Sequence, residues 1–293
     1  MTAIYKQKKH PGGKLSHYVL IAVLTLVAVF VAFPLFWMVR SSLVTKAEFF
    51  SRPPVIWPDK IMLSNFARAI ERINFGRQLM NSLSIVIPYV AGNAITCSIT
   101  AYAFARMRFP LRNFWFICII STMMLPSAVT LIPQYMMYAK FGWVGAGVVF
   151  GGKLPLIIPA FLCAGGNAYF VFLLRQFFLT IPGDLDEAAR IDGAGHLYIF
   201  LKIMLPLVKP ALVVVILFSF INCWNEFFNT LIYLQGEKSY TLTLGLYMIN
   251  GMKINNYEQV MALALIVTAP CLIFFLIGNK YFVEGIALTG IKG

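Results

Sequence analysis

Six apolar runs constrain this chain more than anything else in it. They cover residues 18–39, 83–105, 114–135, 154–174, 207–231 and 261–282. Each reaches the roughly 20 residues that cross a hydrocarbon core. Backbone N–H and C=O groups find no water in lipid, so runs of this length are helices. The fold class that follows is all-α: a polytopic membrane protein with six transmembrane helices. It forms a single domain over residues 18–293, behind a tail over residues 1–17. The chain is 60% hydrophobic and only 12% charged, which agrees. The first run follows Lys6, Lys8, Lys9 and Lys14, as in a signal peptide. It is longer than a signal core of about 7–15 residues and more runs follow, so it reads as an uncleaved first span.

The net charge of +13 invites a nucleic-acid reading. The cations lie in tails and loops that flank the runs and form no continuous basic face, which argues against it. They report orientation instead. Lys6, Lys8, Lys9 and Lys14 precede span one, and Arg106, Arg108 and Arg112 separate spans two and three, so both sets are expected in the cytosol, with both termini. Cys97, Cys118, Cys163, Cys223 and Cys271 all fall inside the runs without a C-x-x-C pair, so neither a disulfide framework nor a metal site is expected. His10, His17 and His196 lie outside the spans or at their edge, with no nucleophile beside them, which leaves an intramembrane protease unsupported. Outside the membrane, "SRPPVIWP" (51–58) reads as extended or turning. "LSNFARAIERI" (63–73) reads as a helix with a possible cap at Ser64, and "YTLTLGLYM" as a short strand or packed loop.

One segment does not belong with the rest. Asp184, Asp186, Glu187 and Asp192 crowd into "DLDEAARIDGAG" (184–195), although the whole chain has 11 acids. Pro182-Gly183 makes a break. Asp184 and Glu187 then stand at capping-box spacing, and acids in a first turn suit the helix dipole. Gly193 is placed to end the helix in a left-handed conformation. A second helix is expected over residues 196–205, up to a break at Pro206. Leu185, Ala188 and Ala189, at i, i+3 and i+4, share one face on which another surface can lie close. A helix lying on anionic lipid normally presents Lys and Arg. An acidic one fits a docking knob for a soluble partner better.

These residues carry a resemblance. "EAARIDGAG…F…I.LPL..PAL" (187–212) resembles the EAA signature of ATP-binding-cassette importer permeases, and in particular the maltose-permease-like carbohydrate uptake family. "AYAFARMRFPLRN", "MMLPSAVTLIP", "FLLRQFF", "WNEF" and the tail "KYFVEGIALTGIKG" are similar to it as well, so the likeness covers nearly the whole chain. The resemblance implies that the odd loop is a coupling helix seated in an ATPase groove. Glu187, Ala188, Ala189 and Gly193 match the core of the motif, and Asp192 and Pro206 match too. It also implies a second homologous permease subunit, two ATP-binding-cassette ATPase subunits, an extracytoplasmic solute-binding protein and a sugar substrate, in the cell membrane of a prokaryote. No cofactor is implied, and ATP hydrolysis belongs to the partner ATPase. Thr230 departs from the family, where many relatives have proline, so a straighter outer end is expected for span five.

Two further features need weighing. "GVVFGGKL" (147–154) fits G-x-x-x-x-G-K, but Leu154 stands where a phosphate loop needs Ser or Thr. In span five, Ser219, Asn222, Asn225, Glu226, Asn229 and Tyr233 share one face, and Glu226 is the only acid inside a predicted span. A polar stripe on a membrane helix turns toward other helices or water. Asn222, Asn225, Glu226 and Asn229 therefore line a substrate path or outer gate, or else make interhelical hydrogen bonds at a subunit interface. Asn93, Gln134 and Asn167 fit helix–helix contacts. The rival readings are an ion-coupled secondary transporter acting alone, a permease for a non-sugar solute, and a membrane scaffold. Secondary transporters tend to show internal repeats and midplane charges, neither of which is visible here.

Overall fold

The computed structural model describes residues 14–145, 149–164, 167–251 and 256–290, and its regular elements are all helical. The chain divides into two compact units, residues 1–69 with 255–265, and residues 70–254 with 266–293.

In the smaller unit, α1 (Lys14–Leu43) exposes every side chain from His17 to Phe36, a surface suited to lipid tails. The helix then ends among buried groups: Arg40, Ser41, Ser42 and Val44. The Asn65 amide donates to the Ser42 and Val44 carbonyls at 3.0 and 2.9 Å, which satisfies acceptors that a helix end leaves free. A complete capping box opens α2 (Lys46–Phe49), with Thr45 and Glu48 exchanging bonds. Asp59 N–H donates to the same carboxylate at 3.0 Å, so the proline-rich stretch folds back over α2. The Thr45 backbone and hydroxyl, then the Asp59 N–H, hold the Glu48 carboxyl below the usual carboxylate range. The helix expected over 63–73 is α3 (Ser64–Arg72), which begins in this unit with Ser64 as its first residue and not as the cap before it.

The larger unit holds, in chain order, α4 (Phe75–Arg106), α5 (Arg112–Ser121), α6 (Ser127–Lys140), α7 (Leu154–Phe161), α8 (Ala168–Thr180), α9 (Asp184–Ile191), α10 (His196–Tyr198), α11 (Leu205–Leu207), α12 (Lys209–Trp224), α13 (Phe228–Tyr233) and α14 (Leu242–Gly251). α15 (Tyr257–Gly290) begins in the smaller unit and continues in the larger. The axis is α4, against which α7, α8 and α12 pack. Lipid offers no hydrophobic drive between helices, so close contact has to come from small residues. Ala101, Ala160 and Ala211 are fully buried and Ala168 nearly so. At Gly92 a Cβ would lie 3.0 Å from the Phe161 ring and 3.1 Å from the Ala160 Cβ. Gly92→Leu is therefore expected to destabilise the purified protein by about 1–3 kcal/mol through overpacking, with Gly92→Ala milder. A thermal midpoint unchanged in Gly92→Leu would show that α4 and α7 do not meet so closely.

Four expectations need correction. Six unbroken spans are not what the described residues show. Three helices are long and apolar enough to cross a membrane: His17–Leu43, Phe75–Arg106 and Tyr257–Asn279. Two bent pairs raise the number to five if each is one span: Arg112–Met124 with Ser127–Lys140 (103°), and His196–Leu207 with Lys209–Trp224 (81°). The first bend falls at extended Leu125 before Pro126, and the second at Val208 between Pro206 and Pro210. The expected fourth span is split between α7 and α8, with Cys163 at φ 51° in the break.

Span five is not straighter toward its C-terminal end without proline, since the helix stops at Trp224 and restarts at Phe228. Side chains take over the backbone partners: the Thr243 hydroxyl donates to Trp224 O at 2.7 Å, and Glu226 Oε1 accepts Asn229 N–H at 2.9 Å. "YTLTLGLYM" is helical as α14, not a strand. Thr241 and the Ser82 hydroxyl accept its first N–H groups, which overrides the β-like alternation. Lastly, Asp184 is the first residue of α9 and not its cap. Gly183 holds that place and offers only its carbonyl, to Asp186 and Glu187 N–H.

Candidate functional site

The knob over residues 184–195 is closed by backbone geometry. Gly193 has φ 82°, and its N–H donates to Arg190 O while Ala194 N–H donates to Ala189 O. Together these bonds make a Schellman end, which needs a residue at ease in the left-handed region. No atom lies within 4 Å of where a Gly193 Cβ would point, so conformation and not space demands the glycine. The chain then runs through α10, a π-helical turn (Ile199–Met204) and α11 to the bend at Val208.

The expected face of Leu185, Ala188 and Ala189 splits. Ala189 is buried with Tyr102, Phe178, Ile199, Phe200 and Met204, whereas Leu185 and Ala188 stay exposed. The inward pair is Asp186 and Ala189, at i and i+3. Glu187, Ala188, Asp192, Leu185 and Ile191 are turned outward, and Ile191 is 86% exposed. An apolar surface edged by acids is thus left without cover on this unit. Pro206 sits apart, before the bend.

The sequence reading missed what holds the knob in place. Arg106, the last residue of α4, lies 3.1 Å from the Asp186 carboxylate, with only 10% and 11% of the two side chains exposed. The same guanidinium donates to Phe178 O and Ile181 O at the end of α8. In the sequence Arg106 stands as a loop cation and Asp186 as one acid among four. The available signal was the i, i+3 pairing of Asp186 with a small residue.

The polar stripe of span five also divides. Ser219 is fully buried and accepts a bond from the Asn93 amide at 3.2 Å, so those two make a helix–helix contact. Asn167 caps the carbonyl of Ala164 at 2.7 Å and faces Tyr89. Asn222, Glu226 and Asn229 instead line a cavity of about 130 Å³, with Gln134, Tyr89, Tyr138 and Tyr233. Asn225, with Asn222 and Glu226, lines a wider neighbouring opening of about 690 Å³. Glu226 is therefore at once a wall of both spaces and the acceptor that restarts the helix at α13.

The G-x-x-x-x-G-K stretch has a different use. Its residues 147 and 148 lie outside the described ones. Gly151 and Gly152 are left-handed, and a Cβ on Gly152 would collide with the Tyr233 carbonyl, so they let backbones approach. Lys153 Nζ donates to Asn81 and Ser84 at 2.8 and 2.9 Å, and Asn81 donates on to the carbonyls of Lys238 and Tyr240. Here the lysine ties its loop to α4, and Asn81 ties α4 to the loop around Lys238 and Tyr240.

The chain is similar to known proteins in sequence and in fold. Residues 94–287 fit the family model described as binding-protein-dependent transport system inner membrane component. A melibiose/raffinose/stachyose import permease protein of Bacillus subtilis (strain 168) is 33% identical over 92% of this chain and 96% of its own. An sn-glycerol-3-phosphate transport system permease protein of Brucella abortus (strain 2308) is 31% identical over 91% of this chain and 94% of its own. Among solved structures, a chain of a bacterial ABC transporter involved in the import of the acidic polysaccharide alginate shares the fold. Its TM-score is 0.78 at 24% identity, covering 96% of this chain and 100% of that one. The matched region contains both the knob and the polar stripe, and the chain belongs to the binding-protein-dependent transport system inner membrane components, the permeases of ABC importers.

Proposed function

We propose that this chain is one of two transmembrane subunits of an importer for a sugar, of the maltose-permease-like branch, and that residues 184–195 are its coupling helix. Glu187, Ala188, Ala189, Asp192 and Gly193 form or shape the docking surface, and Pro206 leads the chain back into the membrane. The observation that carries this reading is the Schellman-closed knob, with its apolar and acidic outer face left uncovered on a permease of this family. In the complete complex, two ATPase subunits close on ATP and carry the knob with them. The helices then open outward to a solute-binding protein and afterwards release the solute inward. Asn222, Asn225, Glu226 and Asn229 line the path or its outer gate. The sugar assignment draws on relatives named for melibiose/raffinose/stachyose import and for alpha-glucoside transport, with an sn-glycerol-3-phosphate permease marking the non-sugar alternative. The whole chain after its N-terminal tail acts as one permease domain with six spans, the bent pairs and the divided fourth span included.

Orientation is tested by labelling. Cysteines placed at Lys8 and Gly195 are expected to resist an impermeant thiol reagent in intact cells, and one at Lys238 to react. Labelling at 195 from outside would overturn the orientation and the coupling role together. Substrate class is tested by ATP-driven uptake into proteoliposomes that hold the full complex, supplied with its binding protein and a panel of α-galactosides, α-glucosides and glycerol 3-phosphate. Accumulation of an oligosaccharide supports the sugar reading; accumulation of glycerol phosphate alone contradicts it.

A further inference from the structure

Three segments meet at one side chain. The Arg106 guanidinium closes α4, donates to Phe178 O and Ile181 O at the end of α8, and pairs with Asp186 on α9. One turn earlier on α4, the Tyr102 ring lies 5.8 Å from Phe178 and 5.2 Å from Phe200, so an apolar layer backs the ionic one. Stability alone explains this poorly. Burying an ion pair costs desolvation that its attraction barely offsets, and well-packed apolar residues would serve as well. A planar forked cation provides something else, a contact with fixed direction to several acceptors.

The backbone connections between these segments are bent or broken. Beyond Gly193, α9 connects to α12 only through the π-helical turn and across the 81° bend at Val208. Toward α8 it connects through Pro182-Gly183. We propose that Arg106 is the clamp by which motion of the docking helix reaches α4 and α8, a positioning role that rests on the coupling reading above. The pair is engaged on one prong, and Asp186 Oδ1 and Arg106 Nε are buried without partners. Nη1 faces Asp186 while Nη2 holds the two carbonyls, so one rigid plane joins α9 to the end of α8.

The test uses the complete complex, purified and in proteoliposomes, with uptake and ATP hydrolysis measured on the same sample. In Arg106→Gln and Asp186→Asn the ATPase is expected to stay bound and active. Uptake per ATP is expected to fall at least about fivefold, the low end of ordinary coupling energies. The double variant should fall no further than the worse single one, because the two residues act as one contact. Arg106→Lys, which keeps the charge but not the fork, should recover part of the loss. A residue that only holds the fold would lower yield and thermal midpoint while leaving uptake per ATP of the surviving complex at the wild-type value, and that result overturns the clamp. Asp186→Asn keeps size and an acceptor oxygen, so it decides the matter if Arg106→Gln does not assemble. Gly193→Val separates the two levels. If it uncouples while both clamp variants keep the wild-type ratio, the clamp fails and the coupling reading stands. Normal uptake and normal ATPase retention in Gly193→Val would remove the coupling reading itself.

Discussion

Gly193→Val is expected to abolish most uptake while the permease still reaches the membrane. At φ 82° a β-branched residue is strained, and the Schellman bonds to Arg190 and Ala189 are available only in that conformation. Holding valine there costs about 1–3 kcal/mol, which lowers the docking-competent population, and the apparent affinity for the ATPase, by roughly 5–150-fold. Because nothing lies near the missing Cβ, the loss should follow backbone preference and not size. Gly193→Asn, which tolerates the left-handed region, is expected to retain most activity, with Gly193→Ala between the two. The measurement is ATPase pull-down beside uptake. Equal loss in the asparagine and valine variants would mean that the glycine matters for some reason other than its φ.

The second large effect is expected at Glu226. Its carboxylate accepts the Asn229 N–H where the helix restarts, and it lines both cavities. Glu226→Gln keeps an acceptor in place and is expected to reduce uptake moderately with assembly intact. Glu226→Leu leaves that N–H unpaired, at about 1–3 kcal/mol, and makes the cavity wall apolar. It is expected to lose most uptake. Wild-type uptake in both variants would leave the stripe with a structural role only.

Much of the molecule was legible in sequence because the physics behind it is local. The helices His17–Leu43 and Phe75–Arg106 follow from apolar length alone, and the left-handed Gly193 from the composition of the loop around it. The breaks were not legible. Hydropathy reports that a segment is apolar but not whether its helix is continuous. A break leaves little trace when its freed carbonyls are met from elsewhere in the chain, as Trp224 O is by Thr243. Nor does α14 show in a pattern of alternating Thr and Leu, since its start is set by Ser82, on another helix. Within the candidate site, the outward acids and alanine were visible. The Arg106–Asp186 contact was not, for it joins residues that only the packing of α4 against α8 brings together. That contact also explains why the inward face of α9 carries Asp186 and not Leu185.

The central claim is that the exposed face of α9 seats on an ATPase, and Ala188 lies on that face. A photo-crosslinking amino acid placed at 188, in the complex expressed with its ATPase subunit, tests it directly. The account predicts an adduct between the permease and the ATPase, formed with the complex intact and lost when the ATPase is omitted. An intact complex whose residue 188 crosslinks only to lipid, or to the partner permease, would contradict it.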